Sequence, residues 1–313
     1  MTGASGTDVV ARLTGEEILA GLGSDPMPVE LEVHSPYAVP SASLTFADVL
    51  DVVERAGHAV DGGAAGVVVT QGTDTLEETA FLVDSVWPHG APFVLTGAMR
   101  NPSLPGADGP ANLAAALQVA TSPEARHRGA LVVFADEIHA ARHVRKTHST
   151  SIGTFVSSNA GPLGLVVEGT PHFFASPNTR APLSGWTKDA VERTRVALYT
   201  ATLDDDGADL AAVAATAQGL VIAGFGVGHV PERLVPLLVP LLQTMPVVLT
   251  SRTGAGSVLA DTYGAPGAER DLRARGAISG GFVHPYKARV LLRLLVAAGA
   301  GRAGIEAAFA ALG

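Results

Sequence analysis

Hydrophobic positions along the chain switch between two spacings. Short apolar runs rich in β-branched residues read as strands at Gly66–Thr70, Phe93–Thr96, Leu131–Ala135, Arg195–Thr200, Leu220–Phe225 and Val247–Ser251. Between them, apolar residues recur at helical spacing over Phe46–His58, Leu76–Val86, Ala111–Ala120, Arg233–Leu242 and Ala288–Ala298. The strands are apolar on both faces, as expected where helices cover both sides of a parallel sheet. The alternation predicts an α/β fold with a doubly wound, mostly parallel sheet. It breaks near Ser176–Lys188, a stretch rich in proline and polar residues with no period. That break predicts a larger N-terminal domain over residues 1–177, a linker over 178–189 and a smaller C-terminal α/β domain over 190–313. No internal repeat is evident.

In open α/β sheets, ligands sit beyond the carboxyl ends of the strands. Three polar motifs of the first half occupy such positions. The first is TQGTDTLEE, which ends the Gly66–Thr70 strand. Gly72 permits a tight turn. Thr75 followed by Glu78 fits a capping box and places a helix start there. Two uses of the remaining polar groups stay open. Asp74 or Thr75 can simply cap the helix. Alternatively, free amides and the positive helix end can hold a carboxylate or stabilise developing negative charge. Thr73 would then be a nucleophile or a water-positioning hydroxyl, and Asp74 an acceptor for an ammonium group.

The second motif is VLTGAMRNPSLPGADGPANL, Val94–Leu113. A strand runs into Thr96-Gly97-Ala98, and the loop that follows is long for a compact domain. Asp108-Gly-Pro reads as an ordinary helix start with Asp108 as the cap. The third is ADEIHAARHVRKTHST, Ala135–Thr150. His139 and His143 are four apart and could share a helix face as metal ligands, but no carboxylate spacing completes a site. Lys146 is either a surface lysine beside Arg142 and Arg145 or, desolvated near a carboxylate, a base. In the second half, GFGVGHVP, Gly224–Pro231, falls short of the dinucleotide fingerprint and reads as a close-packing turn with His229 at its rim.

Composition narrows the classes. With 313 residues, 47% of them hydrophobic, and a mean hydropathy of +0.29, the chain has ample material for a core. A formal net charge of −9 without any Lys/Arg block makes nucleic acid and anionic membranes poor partners. The absence of cysteine excludes disulfides, thiolate metal sites and a cysteine nucleophile. No apolar run reaches the roughly 18 residues of a membrane span. The opening MTGASGTDVVARLTGEE lacks the basic and apolar regions of a signal peptide, so a soluble, cytoplasmic protein is expected.

Taken together, VVVTQGTDTLEETAF, PFVLTGAMR, GADGPANL, DEIHAARHVRKTHST, SSNAGPLG and GGFVHPYKARVLLRLL resemble the bacterial-type L-asparaginase (asparaginase/glutaminase) family, in the family's order. The resemblance implies two α/β domains with the site at the carboxyl edge of the larger one. It implies hydrolysis of a side-chain amide, typically asparagine to aspartate and ammonia, through a threonine acyl-enzyme, with neither metal nor cofactor. Thr73, Asp74 and Lys146 stand where the family places a Thr-Asp-Lys cluster. By that likeness, Lys146 and Asp74 tune the Thr73 hydroxyl, and Asp74 holds the substrate's α-amino group. Gly72 belongs to the same binding loop. Ser41, in VPSASLTF, matches the serine that binds the α-carboxylate, while Ala42 stands where the family often has glutamine. Ala98 matches a residue that meets the substrate through its backbone. Glu269, in GAERDLRARGAISGG, aligns with a glutamate that the family donates to the neighbouring subunit's site, with His229 near the same boundary. That implies a homodimer or homotetramer.

The start of the chain departs from the family pattern. The family opens with a hydrophobic strand ending in a TGGTIA-like motif, whose threonine is generally taken as the primary nucleophile, and then a mobile loop bearing a tyrosine. Here LTGEEIL, within MTGASGTDVVARLTGEEIL, already matches the segment after that loop. Thr7 in SGTD has no apolar strand to hold it, and no tyrosine precedes Tyr37. Two expectations follow. Either the true chain begins upstream of Met1 and supplies the nucleophile, or the short form is impaired. In both cases Thr73 is one half of a two-threonine device, and the polypeptide as written is expected to show little asparaginase activity.

Overall fold

The computed structural model describes residues 2–5, 8–11, 14–20, 22, 29–103, 105–177 and 180–312; Thr7 lies outside them. The chain divides into two compact units, Met1–Pro182 and Leu183–Gly313.

The first unit opens with a hairpin, β1 (Thr2–Ser5) and β2 (Asp8–Ala11), and a short helix α1 (Gly15–Ala20). Helix α2 (Phe46–Asp61) starts at a reciprocal capping box between Thr45 and Asp48. The predicted alternation then appears as β3 (Val67–Thr70), α3 (Leu76–Val86), β4 (Phe93–Thr96), α4 (Gly109–Thr121) and β5 (Ala130–Phe134). These three strands pair in parallel. Beyond β5 the chain turns back at Ala135 and Asp136, whose φ angles of 48° and 62° suit a tight hairpin turn. The result is β6 (Glu137–Ala140), antiparallel to β5. A separate ribbon, β7 (Arg145–Lys146) and β8 (Phe155–Val156), follows, and then β9 (Gly164–Val167) and β10 (Thr170–Phe173). The six-stranded sheet runs β10-β9-β6-β5-β4-β3, with antiparallel pairing from β5 outward. The helical spacing expected around His139 is therefore a strand. Two successive left-handed residues turn the chain straight back onto β5, which leaves no room for a helix.

Strands β4 and β5 are buried along their whole length, with Phe93, Val94, Leu95, Leu131, Val132 and Val133 at the centre of the core. Strand β3 pairs only with β4 among the described residues, and its four residues are half-buried. The site therefore forms at the flank of this sheet.

The second unit consists of α5 (Lys188–Arg193), β11 (Val196–Thr200), α6 (Ala208–Ala214), β12 (Gly219–Gly224), α7 (Val235–Thr244), β13 (Val247–Ser251), α8 (Glu269–Ala274), β14 (Ile278–Ser279), α9 (Pro285–Ala297) and α10 (Arg302–Ala310). Its four strands are parallel and lie in chain order. Leu220, Ile222, Val247 and Leu249 pack against Leu234 and Leu238 to form its core. Both units are α/β, as the hydrophobic pattern predicts.

Candidate active site

Strand β3 delivers Thr70 to the sheet's carboxyl edge, and Gln71–Thr75 bridge to α3. The capping box expected at this helix does not form. Thr75 is the N-cap, but its side chain makes no cap hydrogen bond; it donates to the Ser41 carbonyl at 2.9 Å. Ser41 in turn accepts from the Asp74 amide at 3.2 Å through Oγ. The Thr75 hydroxyl is thus spent on fastening the TQGTDT turn to the segment that carries Ser41. Gly72 matters for the same contact. A Cβ there would lie 2.9 Å from Ser41 Oγ, so close approach, rather than turn geometry, requires glycine. Ser41 is buried, Gly72 and Thr73 are half-buried, and Asp74 is exposed.

Lys146 reaches this mouth from the β7–β8 ribbon. Its Nζ donates to Thr73 Oγ1 at 2.9 Å and to Asp74 Oδ1 at 2.9 Å. Its side chain is only 18% exposed, against 67% for Asp74, so the ammonium end is drawn in while the carboxylate keeps an open side. Of the two readings open for Lys146, the surface lysine is excluded by this placement. The main-chain amide of Lys146 donates to Glu77 Oε2 at 2.5 Å.

Ala98 lies half-buried in the loop after β4. Asp108 does not cap α4, as the sequence led us to expect. Its carboxylate instead accepts from the amides of Met99 and Arg100 at 2.9–3.1 Å, clamping the loop that carries Ala98. Asn112, one turn further on, donates to the Gly97 carbonyl and to Asp108 and accepts from the Ala135 amide. A buried asparagine thereby ties this loop to the β5–β6 turn. Asn112 and Glu77 were missed from the sequence. Asn112 is a polar residue on the buried side of a mainly apolar helix, whereas Glu77 is one of several buried polar residues of α3 and had no distinguishing signal.

The other sequence candidates do not join this cluster. His139 is fully buried on β6 with Nδ1 3.0 Å from Ser157 Oγ, and His143 lies beyond the strand's end. No group of three or more His, Asp or Glu side chains that could hold a metal occurs among the described residues. In the second unit, Phe225 bridges to His229 across the glycine turn, and Gly228 adopts φ +111°. Glu269 is fully buried at the start of α8. Its carboxylate accepts from the Thr262 and Tyr263 amides at 3.2 and 2.7 Å and lies 3.0 Å from His229 Nε2. Burial alone would raise the Glu269 carboxyl, but the Tyr263 amide, its own amide and His229 outweigh it and hold it below its ordinary value.

Comparison with known proteins agrees with this geometry. Residues 1–179 match the "Asparaginase, N-terminal" family and residues 195–309 the "Glutaminase/Asparaginase C-terminal domain". The chain is 39% identical over 288 residues to the "Probable L-asparaginase" of Deinococcus radiodurans, covering 90% of this chain and 86% of that protein. It is 33% identical over 302 residues to the "L-asparaginase" of Bacillus licheniformis, covering 94% and 90%. Among solved structures it resembles the "Probable Cytoplasmic L-asparaginase from Campylobacter jejuni", with a TM-score of 0.85 at 28% identity, covering 95% of this chain and 94% of that one.

Proposed function

Since this chain belongs to the bacterial-type L-asparaginase family, we propose that it hydrolyses the side-chain amide of L-asparagine to aspartate and ammonia at the mouth of β3. The family makes it an asparaginase-type amidohydrolase. The observation that carries the finer reading is Lys146 Nζ, held 2.9 Å from both the Thr73 hydroxyl and the Asp74 carboxylate. The open side of Asp74 receives the substrate's α-ammonium, and the Ser41 hydroxyl retains a proton to donate to the α-carboxylate. Thr73 Oγ1 attacks the amide carbon in the form of the site whose Lys146 is the neutral amine, which takes the Thr73 proton and passes it to the departing ammonia. Neither the Gly72 nor the Thr73 amide has a hydrogen-bond acceptor among the described residues, so both are available to the oxyanion. Water then cleaves the acyl-enzyme. Ammonia release from L-asparagine by the wild type, even if slow, and its loss in Thr73→Ala are the expected results. Equal rates in the two proteins would sink this role for Thr73.

A second reading is a relative that binds the amino acid but turns it over poorly. It is favoured by the open flank of β3, where no strand among the described residues brings a second hydroxyl beside Thr73. Calorimetry with aspartate, alongside the ammonia assay, separates the two: binding with little turnover favours this second reading. The likeness of Glu269 to a residue shared between subunits supports a homodimer or homotetramer, which sedimentation would measure. No helix among the described residues is long and apolar enough to cross a membrane, and a cytoplasmic setting is part of the same proposal. Ala42, in place of a common glutamine, bears on affinity and on the choice between asparagine and glutamine.

A further inference from the structure

Lys146 sits on a two-residue strand that belongs to neither large sheet. The ladder that stabilises β4 and β5 therefore cannot fix its position. In the antiparallel ribbon, the Thr147 amide donates inward to the Thr154 carbonyl at 2.8 Å. Alternation then points the Lys146 amide outward, away from the ribbon. An outward amide in a half-buried place needs an acceptor. The structure supplies one from a different element. Glu77, in the first turn of α3 and only 4% exposed, accepts that amide through Oε2 at 2.5 Å. The same helix start follows directly on Thr73 and Asp74. One side chain therefore links the backbone of Lys146 to the element that carries its two partners.

We propose that Glu77 is a positioning residue that sets the reach of Lys146 onto Thr73 and Asp74. This rests on the reading of Lys146, Thr73 and Asp74 as the reacting cluster, and it assigns Glu77 no contact with substrate. A surface lysine can find its partners by side-chain rotation alone. A part-buried lysine on a short ribbon depends on where its Cα lies, and a misplacement of about 1 Å in such a site can reduce rate on the order of 100-fold. The requirement is an acceptor at the right distance rather than a charge. Glutamine satisfies it, whereas aspartate keeps the charge and falls short by one methylene.

The test compares Glu77→Gln, Glu77→Asp and Glu77→Ala. Lys146, Lys188 and Lys287 are the only lysines of the chain, so reductive methylation followed by peptide mass mapping reads each one separately. Lys146 is expected to label at the wild-type rate in Glu77→Gln and at least about fivefold faster in Glu77→Asp and Glu77→Ala, with Lys188 unchanged in all. Where turnover is measurable, kcat should fall about tenfold or more in the Asp and Ala variants with KM nearly constant, and recover in the Gln variant. If Lys146 labels alike in all four folded proteins, or if Asp rescues and Gln does not, the positioning role is overturned. Because labelling needs no turnover, a wild type that releases no ammonia would count against the catalytic reading and leave this measurement intact.

Discussion

Both units carry a carboxylate beside a basic side chain, yet the two pairs are built differently. In the first unit, Asp74 is 67% exposed and shares Lys146 with a threonine hydroxyl. In the second, Glu269 is fully buried, and its two oxygens are taken by the Thr262 and Tyr263 amides and by His229. The residue types are nearly the same, and both carboxylates lie in segments that follow parallel strands. What separates them is spare hydrogen-bonding capacity. Asp74 keeps an open side, and the neighbouring Gly72 and Thr73 amides have no acceptor among the described residues. Glu269 has its donors already in place, which makes it a fastener of the Thr262–Tyr263 loop within its own unit. A carboxylate beside a cation is not enough for a binding role; the open side that Asp74 keeps is what distinguishes it from Glu269.

The largest effect that would sharpen this contrast is at Thr73. Thr73→Ala removes the oxygen proposed to attack the amide, and kcat should drop at least about 10³-fold while the protein still folds, since the site is half-buried. Lys146→Ala should follow closely. The double variant should be no worse than either single one, because the two act as a unit. Additive losses in a steady-state ammonia assay would break the picture of a joint device.

The next effect separates binding from chemistry. Asp74→Asn keeps the shape but loses the charge that would meet the α-ammonium. A charged hydrogen bond is worth roughly 1.5–3 kcal/mol, so KM should rise about 10- to 100-fold with a smaller change in kcat. Its thermal stability should move little, since an ion pair with a largely exposed partner contributes about 0–1 kcal/mol. A large loss of stability instead would place Asp74 with Glu269, as a fastener.

How much of this was legible from the chain depends on the type of contact. Strands β4 and β13 and helix α3 were read to the residue, because short apolar strands and a helix bounded by a polar turn and Trp87-Pro88 leave little choice of boundary. The β5–β6 hairpin was not, because its turn uses alanine and aspartate at positive φ and so lacks the usual glycine signal. Thr73, Asp74 and Lys146 were named from the sequence, but only the likeness to a family joined them. Local pattern left Lys146 between a surface cation and a base, since residues 73 and 146 meet through folding and not through spacing. Thr75 and Asp108 each looked like a helix cap and turned out to be loop clamps. A hydroxyl or carboxylate at a helix start can serve either its own helix or a neighbouring segment, and the sequence does not say which. Glu77 and Asn112 are buried polar residues that bond to backbone amides and carbonyls, Asn112 also to Asp108, and backbone partners carry no side-chain signature.

The smallest effect concerns the second pair and its dependence on pH. The Glu269 carboxyl is held below its ordinary value of 4.5, because the donors around it outweigh the opposing effect of burial. A depressed folded value means that this stabilisation is complete above the unfolded value and is lost as pH falls through the folded one. In Glu269→Gln the side-chain carbonyl can still accept from Thr262 and Tyr263, but the charge is gone. At pH 7 the variant should be less stable by roughly 1.5–3 kcal/mol, the range for hydrogen bonds to a charged group. As pH falls from about 4.5 through the lower folded value, this stabilisation is lost and the two proteins should converge, which scanning calorimetry over a pH series would follow. A gap in melting temperature that stays constant down to pH 3 would mean that packing around Glu269, and not its charge, holds the loop. The difference between an open and a saturated carboxylate would then rest on the first unit alone.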